Sequence, residues 1–286
     1  MHISSISIVP QEVGCNAKCK YCIAAMTADI RKDLKKPGIN LPKLEKCIKY
    51  AKDGNASTAI ITSSGETLLG SWTNIENILW LCKKYFGQID LHTNGSEILA
   101  MPSFGRDFSQ MLAPYITNLT MTVPHYNTDK CQELYGLELD YVQLFKKLTN
   151  LGLAVRLSCV VCKAGINSKN QMISYIMHYK SLGVTSIVFR ELWIPKNVKH
   201  MDNFLSWCYD NRITQDQITQ WLDDIVVESD GDKLNWFGNG QPYDINGVTV
   251  STSTCTQNNT ASSIKSLVYR PDNSLYTDWD SKAKIM

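Results

Sequence analysis

The chain has 286 residues, 44% of them apolar and 20% charged, and a formal net charge of +2. That apolar share supports a sizeable core and excludes a disordered chain. No apolar run approaches the ~18 residues of a membrane span, the start lacks the basic and apolar regions of a signal peptide, and so small a net charge does not argue for nucleic acid, so a cytoplasmic location is expected. At ~150 residues per domain the length suggests two domains, but one α/β barrel takes ~250, so one large domain with an appendage is expected.

Strand-like and helix-like segments alternate along the chain. Ile6–Val9 is short, apolar and β-branched, and a cysteine-rich loop follows it. Leu41–Asp53 has Leu44, Cys47, Ile48 and Ala51 at helical spacing. Thr58–Thr62 is a buried-strand run. Trp72–Phe86 carries the helical stripe Ile75, Ile78, Leu79 and Cys82. Gln88–His92 is a strand ended by the turn pair Asn94-Gly95. A helix is expected over Phe104–Ala113, then a strand over Ile116–Val123 that Pro124 stops. Leu139–Leu151 is a helix closed by Gly152, and Ala154–Val161 is a strand. Lys169–Leu182 is a helix closed by Gly183, and Val184–Glu191 is the sixth strand. This alternation predicts an α/β protein with a right-handedly wound parallel sheet under covering helices. Several strands are short and rich in Val and Ile, as strands buried on both faces are.

The pattern changes after Trp193. Residues 202–232 hold eight acids and one Arg, with Trp207, Ile213, Ile218, Trp221 and Leu222 at helical spacing. Residues 233–262 are rich in Gly, Asn, Ser and Thr around a β-like Val248-Thr249-Val250. Leu267–Tyr276 predicts two short strands about a Pro-Asp-Asn turn. Residues 196–286 are therefore expected to be a C-terminal extension packed on the sheet edge, and 1–195 the core. The first 60 residues are basic, with ten bases against five acids.

Ten cysteines are many for a chain with no export signal, and clustered ones then point to metal or chemistry. Cys15, Cys19 and Cys22 fall within eight residues, after the first strand and before the first long helix. Three thiolates at this spacing can wrap one soft metal centre, and Gly14 eases the loop. A structural zinc site wants four ligands, and no fourth Cys or His is near in sequence. Three ligands and an open position suit a [4Fe–4S] cluster. Three unrelated thiols, or a zinc site closed by a distant residue, are the plainer alternatives. In βα folds the loops after strands carry the chemistry, and this is such a loop.

Cys15-x3-Cys19-x2-Cys22 resembles the signature of the radical S-adenosylmethionine (radical SAM) enzymes, and the resemblance covers about residues 3–195. Within that superfamily the chain is most similar to the branch of the GTP-cyclising enzyme of molybdenum-cofactor synthesis. The resemblance implies a partial (β/α)6 barrel with a C-terminal extension. It implies that Cys15, Cys19 and Cys22 ligate three irons, while SAM chelates the fourth. It places the backbone of Tyr21 against the adenine.

Other segments extend the resemblance. Ser63-Ser64-Gly65-Glu66-Thr67 resembles the Gly-Gly-Glu-Pro segment that receives the SAM ammonium, with Ser64 for a Gly and Thr67 for the Pro. A carboxylate and carbonyls at a strand end suit that ammonium. Leu91-His92-Thr93-Asn94-Gly95 resembles a Thr-Asn-Gly of the same branch, so Thr93 or Asn94 borders SAM, although Asn-Gly is also an ordinary turn. Thr122, near the end of the fourth strand, matches a position that bonds the SAM ribose or carboxylate. His125 beyond it is a candidate for proton transfer. Val161–Asn167 matches the branch, and Arg156 or Ser158 suits the SAM carboxylate. Val160 and Val188 would pack near the adenine. Arg190 and Glu191 end the sixth strand either as a catalytic pair or as a salt bridge holding the sheet. Cys159 and Cys162 read as core thiols. Arg270, Lys265 and Trp236-Phe237 are candidates for a substrate mouth, and the basic run Arg31–Lys36 for the surface that meets an acidic electron donor.

The function this implies is reductive cleavage of SAM to a 5′-deoxyadenosyl radical that takes hydrogen from a nucleotide or small metabolite. A one-electron donor such as a flavodoxin or ferredoxin would feed the cluster. A peptide substrate is the alternative, and the C-terminal third counts against it, since Cys208 and Cys255 are too few for a second cluster. A non-catalytic Fe–S binding or interaction protein is the alternative of another class. A zinc-ribbon nucleic-acid binder fails on ligand count and charge.

Overall fold

The computed structural model describes residues 2–10, 14–26, 38–100, 107–195, 202–234, 241–253, 259–260, 262–279 and 281–286. The strands among them are β1 (His2–Ile8), β2 (Thr58–Ile61), β3 (Gln88–Thr93), β4 (Asn118–Thr122), β5 (Val155–Val161), β6 (Ser186–Glu191), β7 (Asp232–Lys233), β8 (Pro242–Ile245), β9 (Val248–Ser253), β10 (Ser263–Tyr269) and β11 (Leu275–Tyr276). The helices are α1 (Ile23–Met26), α2 (Leu41–Asp53), α3 (Trp72–Lys83), α4 (Ser96–Leu99), α5 (Phe108–Leu112), α6 (Thr128–Tyr135), α7 (Tyr141–Asn150), α8 (Lys169–Ser181), α9 (Asn203–Asn211) and α10 (Gln215–Glu228). No described helix is long and apolar enough to cross a membrane.

All six expected strands are present. The helix expected from Phe104 begins among residues outside the described set, and its described part, α5, starts at the Asp107 cap. The long helix expected from Leu139 starts at Tyr141, because the Asp140 carboxylate caps it by accepting from Gln143 N at 2.9 Å. α6 was not expected from the apolar pattern. It has only eight residues, between an Asn127 cap and a left-handed Gly136.

The chain divides into two compact units, Met1–Asn16 with Thr27–Leu119 and Gln257–Met286, and Ala17–Met26 with Thr120–Thr256, the boundary falling inside β4. In the first unit β10, β1, β2 and β3 pair in parallel, and β11 turns back antiparallel onto β10. In the second, β5, β6 and β9 pair in parallel, and β8 and β7 continue antiparallel. The C-terminal segment thus supplies strands to both units: β10 lies beside β1, and β9 beside β6.

Register gives each sheet two unlike faces. In the first unit Ile6, Ile8, Ala59, Ile61, Leu91 and Leu267 share a dry face. α2 covers it with its stripe Leu44, Cys47, Ile48 and Ala51, and Tyr269 Oη donates to the Asn40 carbonyl at that helix's start. The opposite face mixes Ser5, Ser7, Thr58, Asp90, His92 and Ser266 with Ile60 and Val268. In the second unit Leu157, Cys159, Ile187, Phe189 and Val250 form the dry face, with the Tyr175 ring of α8 at 5.5 Å from that of Phe189. Arg156, Ser158, Val188, Arg190, Ser251 and Ser253 lie on the other.

Gly152 and Gly183 both hold left-handed backbones, at φ +67° and +87°, where their helices end. A Cβ on Gly152 would meet nothing within 4 Å, whereas one on Gly183 would stand 2.6 Å from Thr149 Cγ2. Gly152→Ala is expected to cost about 1–2 kcal/mol from backbone strain alone. Gly183→Ala is expected to cost clearly more, and urea unfolding of the two variants measures the difference.

Candidate functional site

In the first unit the site is built around a buried carboxylate. Glu66 follows β2 and is 2% exposed. Its Oε1 accepts from Thr93 Oγ1 at 2.5 Å and Leu68 N at 3.0 Å, and its Oε2 accepts from Asn94 N at 2.6 Å. Burial pushes its carboxyl above the ordinary range, and the donors from Thr93, Leu68 and Asn94 pull it back. The Glu66 amide in turn donates to the Gly14 carbonyl at 3.2 Å, just before Cys15. Asn16 closes the circuit: it accepts from Asn94 Nδ2 and donates to Ser96 Oγ, both at 2.8 Å. So Glu66, Thr93 and Asn94, three residues singled out from the sequence, are brought together, with Ser64 and Gly65 half-buried beside them in chain. Asn16 and Ser96 were not foreseen; an Asn inside the cysteine loop and a Ser after Asn-Gly carry no special pattern.

In the second unit the remaining cysteine loop runs along the end of α6. Lys18 N donates to Tyr135 O at 2.8 Å, Lys20 N to Leu134 O at 3.0 Å, and Cys208 Sγ of α9 approaches the Lys20 carbonyl at 3.6 Å. Gly136, at φ +69°, must be glycine here, since a Cβ would stand 2.9 Å from Lys18 Cβ. Cys22 N donates to Cys19 O at 3.3 Å and opens α1. Cys19 and Cys22 are half-buried and Cys15 is exposed, none in a disulfide. Tyr21 is 7% exposed, packed with Leu134, Cys162, Leu192 and Cys208, and Cys19 and Val160 pack on the same cluster. Cys159 and Cys162 are core thiols, both fully buried.

The strand ends of this unit carry the other candidates. Arg190 Nε donates to Ser158 Oγ at 2.8 Å, and Arg156 Nε reaches Ser186 Oγ at 3.4 Å. Val188 is buried in register with Ser158, while Val160 and Thr122 are half-buried. Arg190 and Glu191 point to opposite faces and do not pair: Glu191 Oε1 takes both Nε and Nη2 of Arg212, at 2.8 and 2.6 Å. His125 is buried, its Nδ1 accepting from Asn127 N at 2.9 Å and its carbonyl from Cys131 Sγ and Tyr179 Oη. In the first unit, a group not foreseen stands on the polar face: Asp90 accepts from Asn118 Nδ2 at 2.8 Å and lies 3.5 Å from His92 Nε2. Arg270 is buried over the Tyr276 ring at 4.7 Å. Trp236, Phe237, Cys255 and the Arg31–Lys36 run lie outside the described residues.

Among the described residues no three His, Cys, Asp or Glu side chains gather at metal-holding distance. The fit to a cluster lies in donor chemistry and surroundings. Cys15, Cys19 and Cys22 carry thiols on one short loop, and the Tyr21 hydroxyl beside Cys19 is buried with no hydrogen-bond partner. A buried donor left without an acceptor fits a sulfur acceptor that arrives with the group.

The chain matches no protein-family model and no curated protein sequence. Its fold is shared with solved structures. SuiB of Streptococcus suis bound to S-adenosylmethionine aligns over 97% of this chain at 13% identity and TM-score 0.64, and the chain spans 60% of its length. The structure of native anSMEcpe with bound AdoMet aligns over 99% of this chain and 76% of its own, at 18% identity and TM-score 0.64. A radical SAM methyltransferase from Sphaerobacter thermophilus aligns over 89% and 67%, at 13% identity and TM-score 0.58. At these identities the likeness establishes the fold, and the α/β class with parallel strands read from the sequence holds.

Two predictions follow the hydrogen bonds. Glu66→Gln turns an acceptor into a donor facing a donor, and is expected to destabilise by about 1–3 kcal/mol; Thr93→Val should cost about 1 kcal/mol, and the double variant less than the sum, as urea unfolding would measure. For His125, burial and Lys130 hold the imidazole below its ordinary pKa. The unfolded chain therefore takes up a proton below pH ~6.5 that the folded one does not, and stability falls as pH drops through that window. His125→Asn keeps an acceptor for Asn127 N and removes the titration, so its unfolding free energy should fall less between pH 7.5 and 5.5 than that of wild type.

Proposed function

We propose that this chain is a radical SAM enzyme of the branch that contains the GTP-cyclising enzyme of molybdenum-cofactor synthesis. Cys15, Cys19 and Cys22 hold a [4Fe–4S] cluster in this reading. Together, such a cluster and SAM would supply one-electron cleavage of the sulfonium C–S bond and, from it, hydrogen abstraction from the substrate. The observation that carries the reading is the Gly14–Glu66 tie, which fastens the start of the cysteine loop to the segment that resembles the SAM-binding one.

The chain's own residues bind and orient. The carbonyls of Ser64 and Gly65 and the remaining acceptor capacity of Glu66 receive the SAM ammonium. Thr93 and Asn94 keep Glu66 aimed. Arg156 or Ser158 receives the carboxylate, with Thr122 at the ribose, and Val160, Val188 and the Tyr21 backbone pack on the adenine. Residues 1–195 carry this chemistry, and 196–286 bear on the substrate. His125, Arg190 and Glu191 remain the candidates for a catalytic step, each held in place by a hydrogen bond or ion pair within the fold.

A nucleotide or small metabolite suits the hydroxyl-bearing and charged faces of both sheets. The peptide alternative draws on one observation: SuiB, which shares the fold, has been solved bound to the precursor peptide SuiA, with TM-score 0.60 to this chain at 14% identity. A flavodoxin or ferredoxin in the cytoplasm is the proposed electron source.

The test is anaerobic. The protein is reconstituted with iron and sulfide, reduced with dithionite and given SAM, and 5′-deoxyadenosine is assayed by mass spectrometry. Wild type is expected to form it and Cys22→Ala to lose it by at least two orders of magnitude. A well-formed cluster that yields none, with an EPR spectrum indifferent to SAM, would overturn catalysis in favour of a binding role.

A further inference from the structure

Tyr21 is a phenol placed where a phenylalanine would pack as well. Its ring sits in an apolar cluster with Leu134, Leu192, Cys162 and Cys208, and half-buried Cys19 and Val160 pack against that cluster. The hydroxyl is buried and has no hydrogen-bond partner. The other groups around it are Cys19, Tyr135, Cys159 and Cys162. A buried polar group without a partner costs stability, and folded chains retain few of them. A phenol is protonated at neutral pH, so it is a donor. Tyr175 and Tyr179 of the same unit do donate, to the carbonyls of Val123 and His125, each at 2.8 Å, whereas the buried Tyr141 hydroxyl, which stands by Cys131, shares the want of an acceptor. Cys159 and Cys162 are fully buried thiols of the core, whereas Cys19 belongs to the loop that carries the metal-binding pattern.

We propose that the Tyr21 hydroxyl donates a hydrogen bond to a sulfur of the cluster held by the cysteine loop, either the Cys19 thiolate or a bridging sulfide, and thereby raises the cluster's reduction potential. This rests on the cluster reading above. Reduction adds negative charge to the sulfurs, so a donor stabilises the reduced cluster more than the oxidised one. Partners beyond the ligands commonly set the properties of a metal site in this way. The hydrogen bond exists only in the loaded protein, so Tyr21 must act with opposite sign on the two forms. In the apoprotein the hydroxyl is a burden; in the loaded protein it is a contact.

The experiment compares wild type, Tyr21→Phe and Tyr175→Phe, each as apoprotein and after anaerobic reconstitution. Urea unfolding of the apoproteins should leave Tyr21→Phe as stable as wild type or more so, and Tyr175→Phe less stable. EPR-monitored redox titration of the loaded proteins should shift the Tyr21→Phe midpoint to more negative potential, at equal iron and sulfide content, and leave Tyr175→Phe unshifted. Equal midpoints for Tyr21→Phe and wild type would overturn the proposal while leaving the cluster standing. So would an apoprotein Tyr21→Phe as weakened as Tyr175→Phe, since the phenol would then already have a partner. A wild type that takes up no cluster would overturn the cluster reading itself, and this inference with it.

Discussion

The Glu66 carboxylate is the point on which the first unit's loops depend. A charge taken fully out of water costs several kcal/mol, and a chain keeps it only where donors surround it. Here the donors come from its own loop, at Leu68, and from the end of β3, at Thr93 and Asn94. Hydrogen bonds to a charged group contribute about 1.5–3 kcal/mol each net of desolvation, so the loss of any one of the three weakens the case for burying Glu66. The result is that the loop after β2 and the loop after β3 form one unit. The backbone of Glu66 then fixes Gly14, and the side chain of Asn94 fixes Asn16, so the residues on either side of Cys15 are held by the same knot. One buried carboxylate thereby holds the residues that flank Cys15.

The second unit solves the same problem without a charge. Its part of the cysteine loop is held by backbone bonds to Leu134 and Tyr135, which are the last carbonyls of α6 and lack helical partners of their own. The left-handed Gly136 both ends that helix and leaves room for Lys18. Helix end and loop satisfy each other's unpaired groups, so α6 earns its short length by its end and not by its stripe. Cys208 and the apolar cluster about Tyr21 then close the space behind Cys19.

This contrast explains what could be read from the sequence. The six strands were legible because β-branched runs and glycine stops are local signals, and the cysteine pattern was legible because three thiols fall within eight residues. Glu66, Thr93 and Asn94 could be singled out because their segments resemble those of a known family, but their mutual bonding is a long-range fact that no local pattern encodes. α6 escaped because its reason is tertiary. Asn246-Gly247 was a hairpin signal that went unread, and it joins β8 to β9 through two left-handed residues. A salt bridge between Arg190 and Glu191 was one of two readings of that strand end; alternation across the strand puts Arg190 on the other face, and Arg212 arrives from the end of α9 to pair with Glu191 instead.

The polar faces carry a further constraint. In the first unit Ser7 and Ser266 share a hydrogen bond at 2.9 Å, and Asn118 and His92 both converge on Asp90. In the second, Arg190 is fixed through Nε to Ser158, which leaves the planar end of its guanidinium to be aimed by that one bond. Side chains engaged with one another in this way are preorganised, and a ligand that meets them need not pay to order them. An apolar ligand would bury these groups without replacing their water, at the cost of each unpaired donor and acceptor. A ligand with its own hydroxyl, amide or anionic groups loses nothing on that account. A ligand placed on these faces would therefore forfeit least if it were polar, and a guanidinium held by its Nε would suit a planar anion better than a lone hydroxyl, since its two terminal nitrogens can engage both oxygens at once.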